Sequence, residues 1–258
     1  MITTLLIVAL ILIYFVIKFN TNKKNPALSI PDFWHADLLK YVRFYKSLNH
    51  EQQSVFKNRM ALFLKEIQIE GVHIEVADKD KMLIAASAVI PVFHFPDWHY
   101  NNLKNVWLYP DRFNQELGFA EKDENRNILG LVGTGRFENQ MILSQKALYH
   151  GFRNNTDKLN TAVHEFVHLI DKMDGKIDGI PQILMNQPMA AAWLEIMHHE
   201  MEQINNDKSD IRSYGGTSEA EFFAVACEYF FSRPKLMKRK HPDIYQMLES
   251  CFLQETTK

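Results

Sequence analysis

Residues 154–175 read NNTDKLNTAVHEFVHLIDKMDG, and their centre is His164-Glu165-Phe166-Val167-His168. Leu159, Val163, Phe166, Val167, Leu169 and Ile170 recur at helical spacing, which predicts a strongly apolar helix. Histidines at i and i+4 lie on one face, one turn apart, so both imidazoles can reach a single metal ion. Glu165 follows the first of them, where a carboxylate can hold a metal-bound water. A polar cluster in so apolar a helix costs roughly 1–3 kcal/mol for each unsatisfied group, and a metal removes that cost. One of Asn154, Asn155, Thr156 and Asp157 is expected to cap the helix, and Asp174-Gly175 to end it. Asp171 falls on the His face and is expected to accept a hydrogen bond from a ligand His or from a neighbouring group.

Catalytic zinc takes three protein ligands and an open position. The continuation H-E-x-x-H-x-x-G-x-x-H is absent, because Asp171 and Asp174 stand at its Gly and third His. The third ligand is therefore expected from a second helix. Residues Glu219 to Arg233 supply one, with Phe222, Val225, Ala226, Tyr229 and Phe230 at helical spacing and Thr217 or Ser218 as cap. Spacing alone leaves Glu219, Glu221 and Glu228 open as the ligand.

His164 to Asp171 (HEFVHLID), Tyr214 and Glu221 to Phe231 (EFFAVACEYFF) resemble the Mlc titration factor A family of bacterial zinc peptidases. The Tyr-x6-Glu-Phe-Phe-Ala pattern is also similar to the catalytic domain of anthrax lethal factor. The resemblance implies a zincin-like fold, Zn2+ as cofactor, and His164, His168 and Glu221 as its ligands. It implies Glu165 as general base and acid, and Tyr214 as stabiliser of the oxyanion. The implied reaction is peptide-bond hydrolysis through a zinc-activated water, of gluzincin type, and the family extends to aminopeptidase-type activity. Its name implies an alternative, a binding protein that sequesters a transcriptional repressor. Elementary chemistry fits these roles. Two neutral imidazoles and one carboxylate leave zinc a residual positive charge, which lowers the pKa of bound water towards ~7.

The chain has 258 residues, 47% of them hydrophobic, enough for one sizeable core. A net charge of -2 argues against direct nucleic-acid binding. Cys227 and Cys251 make no disulfide framework, and Cys227 reads as a small core residue. Residues Ile2 to Phe19 are almost wholly apolar. About 16–18 residues at ~1.5 Å each reach ~24–27 Å, nearly a hydrocarbon core, and no cleavage-site pattern follows. Residues 1–19 are thus expected to be a transmembrane anchor, 20–31 a polar linker, and 32–258 the peptidase domain. Lys18, Lys23 and Lys24 flank the C-terminal side. The expected topology is single-pass in the inner (cytoplasmic) membrane, with the catalytic domain facing the cytoplasm and acting on peptide or protein substrates.

The fold class is expected to be α+β, mainly helical with a small sheet. Helices are predicted at Trp34 to Ser47, Gln52 to Glu70 (capped by Asn49 with Gln52), Asp78 to Val89, Met189 to Ile204 and Asp243 to Phe252. Strands are predicted at Val72 to Val76, Val106 to Tyr109, Ile128 to Val132 and Gln140 to Leu143. Gln140 to Ser144, just before the His helix, is the expected edge strand for an extended substrate. Gly135 to Asn139 is only a degenerate G-x-M-E-N motif, and His198-His199 reads as a polar helix face rather than a second metal site.

Overall fold

The computed structural model describes residues 29–111, 130–133, 138–153 and 156–253. The anchor, most of the linker, part of the Ile128 to Val132 strand and most of the Gly135 to Asn139 motif lie outside the described residues. Among the described residues, no helix is long and apolar enough to cross a membrane.

The elements in order are α1 (Trp34–Tyr41), α2 (Arg43–Ser47), α3 (His50–Glu66), β1 (Gln68–Gly71), α4 (Asp78–Val92), β2 (Asn105–Tyr109), β3 (Gly130–Val132), β4 (Gln140–Ser144), α5 (Gln145–Arg153), α6 (Thr161–Asp171), α7 (Gln187–Asn205), α8 (Glu219–Ser232), α9 (Pro234–Lys240) and α10 (Pro242–Phe252). Short 3-10 turns follow α6 at Lys172–Asp174 and precede α8 at Ser213–Gly216. The class is α+β, mostly helical with one four-stranded sheet of order β1-β2-β4-β3. β1, β2 and β4 run parallel, and β3 runs antiparallel to β4.

Helix α6 carries the His pair, and all of its residues are buried. Phe166 is fully buried, its ring 5.5 Å from Phe63 and 5.2 Å from Tyr100. Burying a side chain of that size contributes about 2–3 kcal/mol. Helix α4 is apolar on nearly every face from Met82 to Val92, as a helix enclosed by neighbours must be. The cap of α6 is Asn160, whose Oδ1 accepts from Val163 N at 3.2 Å, rather than one of residues 154–157. It stands next to the first helical residue, the one place from which a side chain can reach the N3 amide.

Several sequence expectations are corrected. Trp34 to Ser47 is two helices, because buried Val42 is extended (φ -103, ψ 93) and turns the chain. The next helix is capped by the reciprocal Asn49–Gln52 pair as expected, but stops at Glu66. Residues Gln68–Gly71 leave helical geometry to pair with β2, where ladder hydrogen bonds override local helical spacing. Val72 to Val76 is no strand: the chain turns at His73, at φ 59. Helix α4 continues past Pro91 to Val92, and Arg59 takes up the carbonyls freed at its end. Arg59 donates to Val92 O, Phe93 O and Phe95 O at 2.5–2.6 Å. Strand β4 is not at an edge, since β2 and β3 flank it. Helices α5 and α9 have no counterpart in the predicted elements.

The C-terminal helices are tied to the rest by Asp210. Its carboxylate accepts from Lys158 Nζ (2.6 Å), Lys240 Nζ (2.8 Å), His241 Nε2 (2.6 Å) and Tyr229 Oη (3.2 Å). His241 Nδ1 meets Glu200 Oε1 at 3.2 Å. Burial alone would raise the Asp210 carboxyl, but the bonds from Lys158, Lys240 and His241 hold it well below the carboxylate range. Burial would lower His241, and Glu200 and Asp210 outweigh it and raise it above 6.5.

The depressed Asp210 stabilises the fold above its unfolded value of 3.8, and this is lost as pH falls through the folded value. The raised His241 stabilises fully below 6.5 and loses this as pH rises through its folded value. The melting temperature of Asp210→Asn should therefore fall furthest below wild type between about pH 4 and 6.5. Thermal unfolding followed by circular dichroism across pH checks this; a pH-independent difference would show that the pairing is not linked to titration.

Candidate metal centre

The buried face of α6 meets the first two turns of α8. His164 Nε2 lies 3.0 Å from Glu221 Oε2 and 3.1 Å from His168 Nε2, and His168 Nε2 lies 3.5 Å from the same Glu221 oxygen. Three donor atoms thus form one small triangle. His164 and His168 are 5% and 8% exposed. The helices place these atoms simply: i and i+4 stack the imidazoles, and Ser218 caps α8 by accepting from Glu221 N at 3.3 Å. Glu221 therefore sits in the first turn of α8, level with the His pair.

Of the three acids left open by spacing, the structure brings one to the triangle. Glu219 pairs with His198 Nε2 at 2.6 Å on the exposed side. Glu228, two turns on from Glu221, reaches the other nitrogen of the first imidazole: His164 Nδ1 donates to Glu228 Oε1 at 2.7 Å. A carboxylate only accepts, so this bond places a proton on Nδ1 and frees the Nε2 lone pair towards the triangle. Glu228 Oε2 accepts from Asn160 N at 2.7 Å, and Arg212 Nη2 lies 2.5 Å from Oε1.

The donor set fits a metal ion. Glu221 Oε2 is buried without a hydrogen-bond partner among the described residues, and two imidazole Nε2 atoms face each other. Each would be an uncompensated polar atom; a cation satisfies all of them. The edges of 3.0–3.5 Å match the ~3.3 Å separation of tetrahedral ligands around zinc at ~2.0–2.1 Å. Electrostatics agree. Burial would lower His164, but Glu221 and Glu228 outweigh it and raise it strongly. Burial would raise Glu221, yet the two histidines hold it far below the carboxylate range. The pocket is negative and favours positive charge.

Glu165 lies beside this triangle and is 4% exposed; burial pushes its carboxyl up, with the histidines opposing. It lies flush against β3, for a Cβ on Gly130 would stand 2.4 Å from Glu165 Oε1 and 2.6 Å from its Cγ. Tyr214, in the turn before α8, is 46% exposed, with its ring 6.0 Å from that of His164. Burial and the Glu221 carboxylate push its phenol pKa up to about 12, so the hydroxyl stays protonated at neutral pH.

Of the two partners expected for Asp171, a ligand His or a neighbouring group, the structure supplies the second. Asp171 Oδ2 accepts from Gly179 N at 2.9 Å, and His168 Nδ1 has no partner among the described residues. Gly179 O accepts from Trp193 Nε1 at 2.9 Å. Gly179 has φ 76, and a Cβ there would stand 2.4 Å from Glu219 O. The loop after α6 is thereby pressed against the start of α8.

Sequence reasoning missed Gly130, Arg212 and Asn160, and weighed Glu228 only as a ligand. The seven-residue offset from Glu221 to Glu228 was a usable signal, because two acids on one face can address both nitrogens of one imidazole. Nothing in the sequence marks Arg212 or Gly130, which arrive from distant segments.

Gly130→Ala should push the Glu165 carboxylate aside while leaving the donor triangle intact. Any hydrolytic activity of this centre should fall by about 10²-fold, the scale of a roughly 1 Å misplacement, with metal content unchanged. Steady-state kinetics beside metal analysis checks it; full activity would mean that Glu165 swings clear at no cost.

Comparison with known proteins places the chain among relatives. Two relatives are proteins called Mlc titration factor A. That of Pectobacterium atrosepticum is 23% identical over 256 residues, covering 93% of this chain and 92% of the relative. That of Cronobacter sakazakii is 26% identical over 249 residues, covering 89% of each. An uncharacterized protein of Synechocystis sp. is 27% identical over 237 residues, covering 88% of this chain and 85% of its own length. The resemblance read from HEFVHLID and EFFAVACEYFF is borne out. A family model, the glucose-regulated metallo-peptidase M90, matches residues 17–253, nearly the whole chain, and the chain belongs to that family.

Proposed function

We propose that the chain is a zinc-dependent peptidase of gluzincin type, with His164, His168 and Glu221 as metal ligands. The observation that carries this is the convergence of three donor atoms within 3.0–3.5 Å, one of them a buried carboxylate oxygen with no other partner. When bound, zinc supplies a Lewis acid that polarises the scissile carbonyl and acidifies a water.

The chain's own residues do the rest. Glu165, raised by burial, takes a proton from the attacking water and returns it to the leaving amine. Tyr214, neutral up to about 12, donates to the developing oxyanion from a half-exposed turn. Glu228 holds the His164 ring in its metal-binding tautomer. Strand β3, at the edge of the sheet and against Glu165, takes the substrate role expected of β4 and receives an extended peptide by strand addition. Aminopeptidase activity is the finer form of this reading, supported by the family resemblance alone.

The apolar run Ile2 to Phe19 supports a membrane anchor. Lys18, Lys23 and Lys24 support a domain facing the cytoplasm from the inner membrane. The relatives' name, Mlc titration factor A, favours a second reading, a tethered protein that sequesters a transcriptional repressor.

Metal analysis of the full-length chain should find one zinc per molecule. Glu165→Gln should keep that zinc and lose about 10³-fold or more in peptide hydrolysis. Glu221→Ala should release zinc to a chelator that leaves wild type loaded. A zinc-free wild type, or Glu165→Gln with full activity, would overturn the peptidase. A Glu165→Gln chain that retains a regulatory effect in cells would assign that effect to binding.

A further inference from the structure

Glu228 is 1% exposed and stands at the junction of three segments. Its carboxylate accepts from His164 Nδ1 and Asn160 N, both at 2.7 Å on the α6 side, and from Arg212 Nη2 at 2.5 Å. Arg212 belongs to the loop between α7 and α8. That loop is pinned upstream by Ser209, which donates to Glu200, and by Asp210 with its two lysines and His241. Two residues downstream of Arg212 comes Tyr214, and the Arg212 guanidinium carbon lies 5.5 Å from the Tyr214 ring centroid. Tyr214 is itself half-exposed and sits in a short 3-10 turn followed by Gly215 and Gly216, so packing alone holds it weakly. One guanidinium thus grips the acid behind His164 with one edge and lies against the phenol that faces the site.

We propose that Arg212 is a positioning residue that couples the Tyr214 loop to the His164 imidazole through Glu228. This rests on the peptidase reading, and it names a residue that touches neither metal nor substrate. The planar guanidinium fork suits this role, because it bonds a carboxylate in a fixed direction and stacks on an aromatic ring at once, which an ammonium does not do. A neighbour that orients a ligand imidazole governs metal affinity by about 10- to 100-fold when removed. Arg212 adds to that a mechanical link, because the guanidinium of the same side chain lies 5.5 Å from the Tyr214 ring centroid. Its loss disturbs two functions that no covalent proximity connects.

The test uses full-length protein and three variants: Arg212→Met, Arg212→Lys and Tyr214→Phe. Arg212→Met should weaken zinc binding about 10-fold or more in chelator competition and lower kcat with KM little changed. Tyr214→Phe should cost less kcat in the Arg212→Met background than in wild type, since the phenol is already misplaced. Arg212→Lys should recover zinc affinity more than kcat, because charge returns without the stack. In zinc-free protein, nitrogen-15 NMR should show an exchange-protected proton on His164 Nδ1 in wild type and faster exchange in Arg212→Met.

A merely structural ion pair would lower the melting temperature, leave zinc affinity and Nδ1 exchange unchanged, and give additive Tyr214→Phe effects; that result overturns the proposal. If Arg212→Met fails to fold, the Arg212→Lys split between affinity and kcat decides in its place. A wild type that binds no zinc sinks the peptidase reading, and the Nδ1 exchange of the zinc-free proteins still decides the Arg212–Glu228–His164 coupling.

Discussion

Complete burial of α6 sets the terms for the rest of the molecule. A helix enclosed on every side cannot carry His164, Glu165, His168 and Asp171 unless almost every polar atom meets a partner. Each neighbouring segment supplies one. Glu228 answers His164 Nδ1, Gly179 answers Asp171, and Glu221 closes the face that the two Nε2 atoms share. Helices α4 and α8 are apolar because they enclose α6, and α8 carries its polar groups, Glu221 and Glu228, where α6 demands them. His168 Nδ1 and Asp171 Oδ1 stay without a partner among the described residues, and on the shared face a lone carboxylate oxygen and two facing imidazole nitrogens leave a set of donors suited to a divalent cation.

The same enclosure explains the division between the two acids of α8. Glu221 is in the first turn, where the helix start opens towards solvent, and remains partly exposed. Glu228 lies two turns deeper and has almost no exposure, so its charge must be met by protein donors, and it is. Spacing puts both on one face; depth assigns one to the metal face and the other to the far side of the ring. Tyr214 and Arg212 come from one short loop: the Tyr214 ring lies 6.0 Å from that of His164, and Arg212 bonds Glu228 on the ring's far side.

The sequence made α6 and α8 legible because each has a long apolar stripe, and because the chemistry sits at fixed helical offsets within them. The Asn49–Gln52 and Ser218 caps were readable for the same reason: they are local bonds between near neighbours. Features fixed by distant partners were not. Nothing between Gln52 and Glu70 says that helix yields to strand at Gln68, since the ladder partner lies at Asn105 to Leu108. Strand order is likewise invisible, so β4 read as an edge when it is flanked on both sides. Val42 breaks a helix because its own burial turns the chain, and a single apolar residue announces no such turn. Arg212 and Gly130 acquire their roles only when the loop and β3 come to rest against α6 and α8.

Gly179 shows how tightly these segments are seated. Its amide meets Asp171, its carbonyl meets the Trp193 indole, and its α-carbon rests on the backbone of Glu219. Three helices therefore share a knot that admits no methyl group. A side chain there would act as a wedge, prying the start of α8 from α6 and withdrawing Glu221 from its histidines without altering a single donor. At this one point the spacing of α6 and α8 is set by the thickness of a bare backbone.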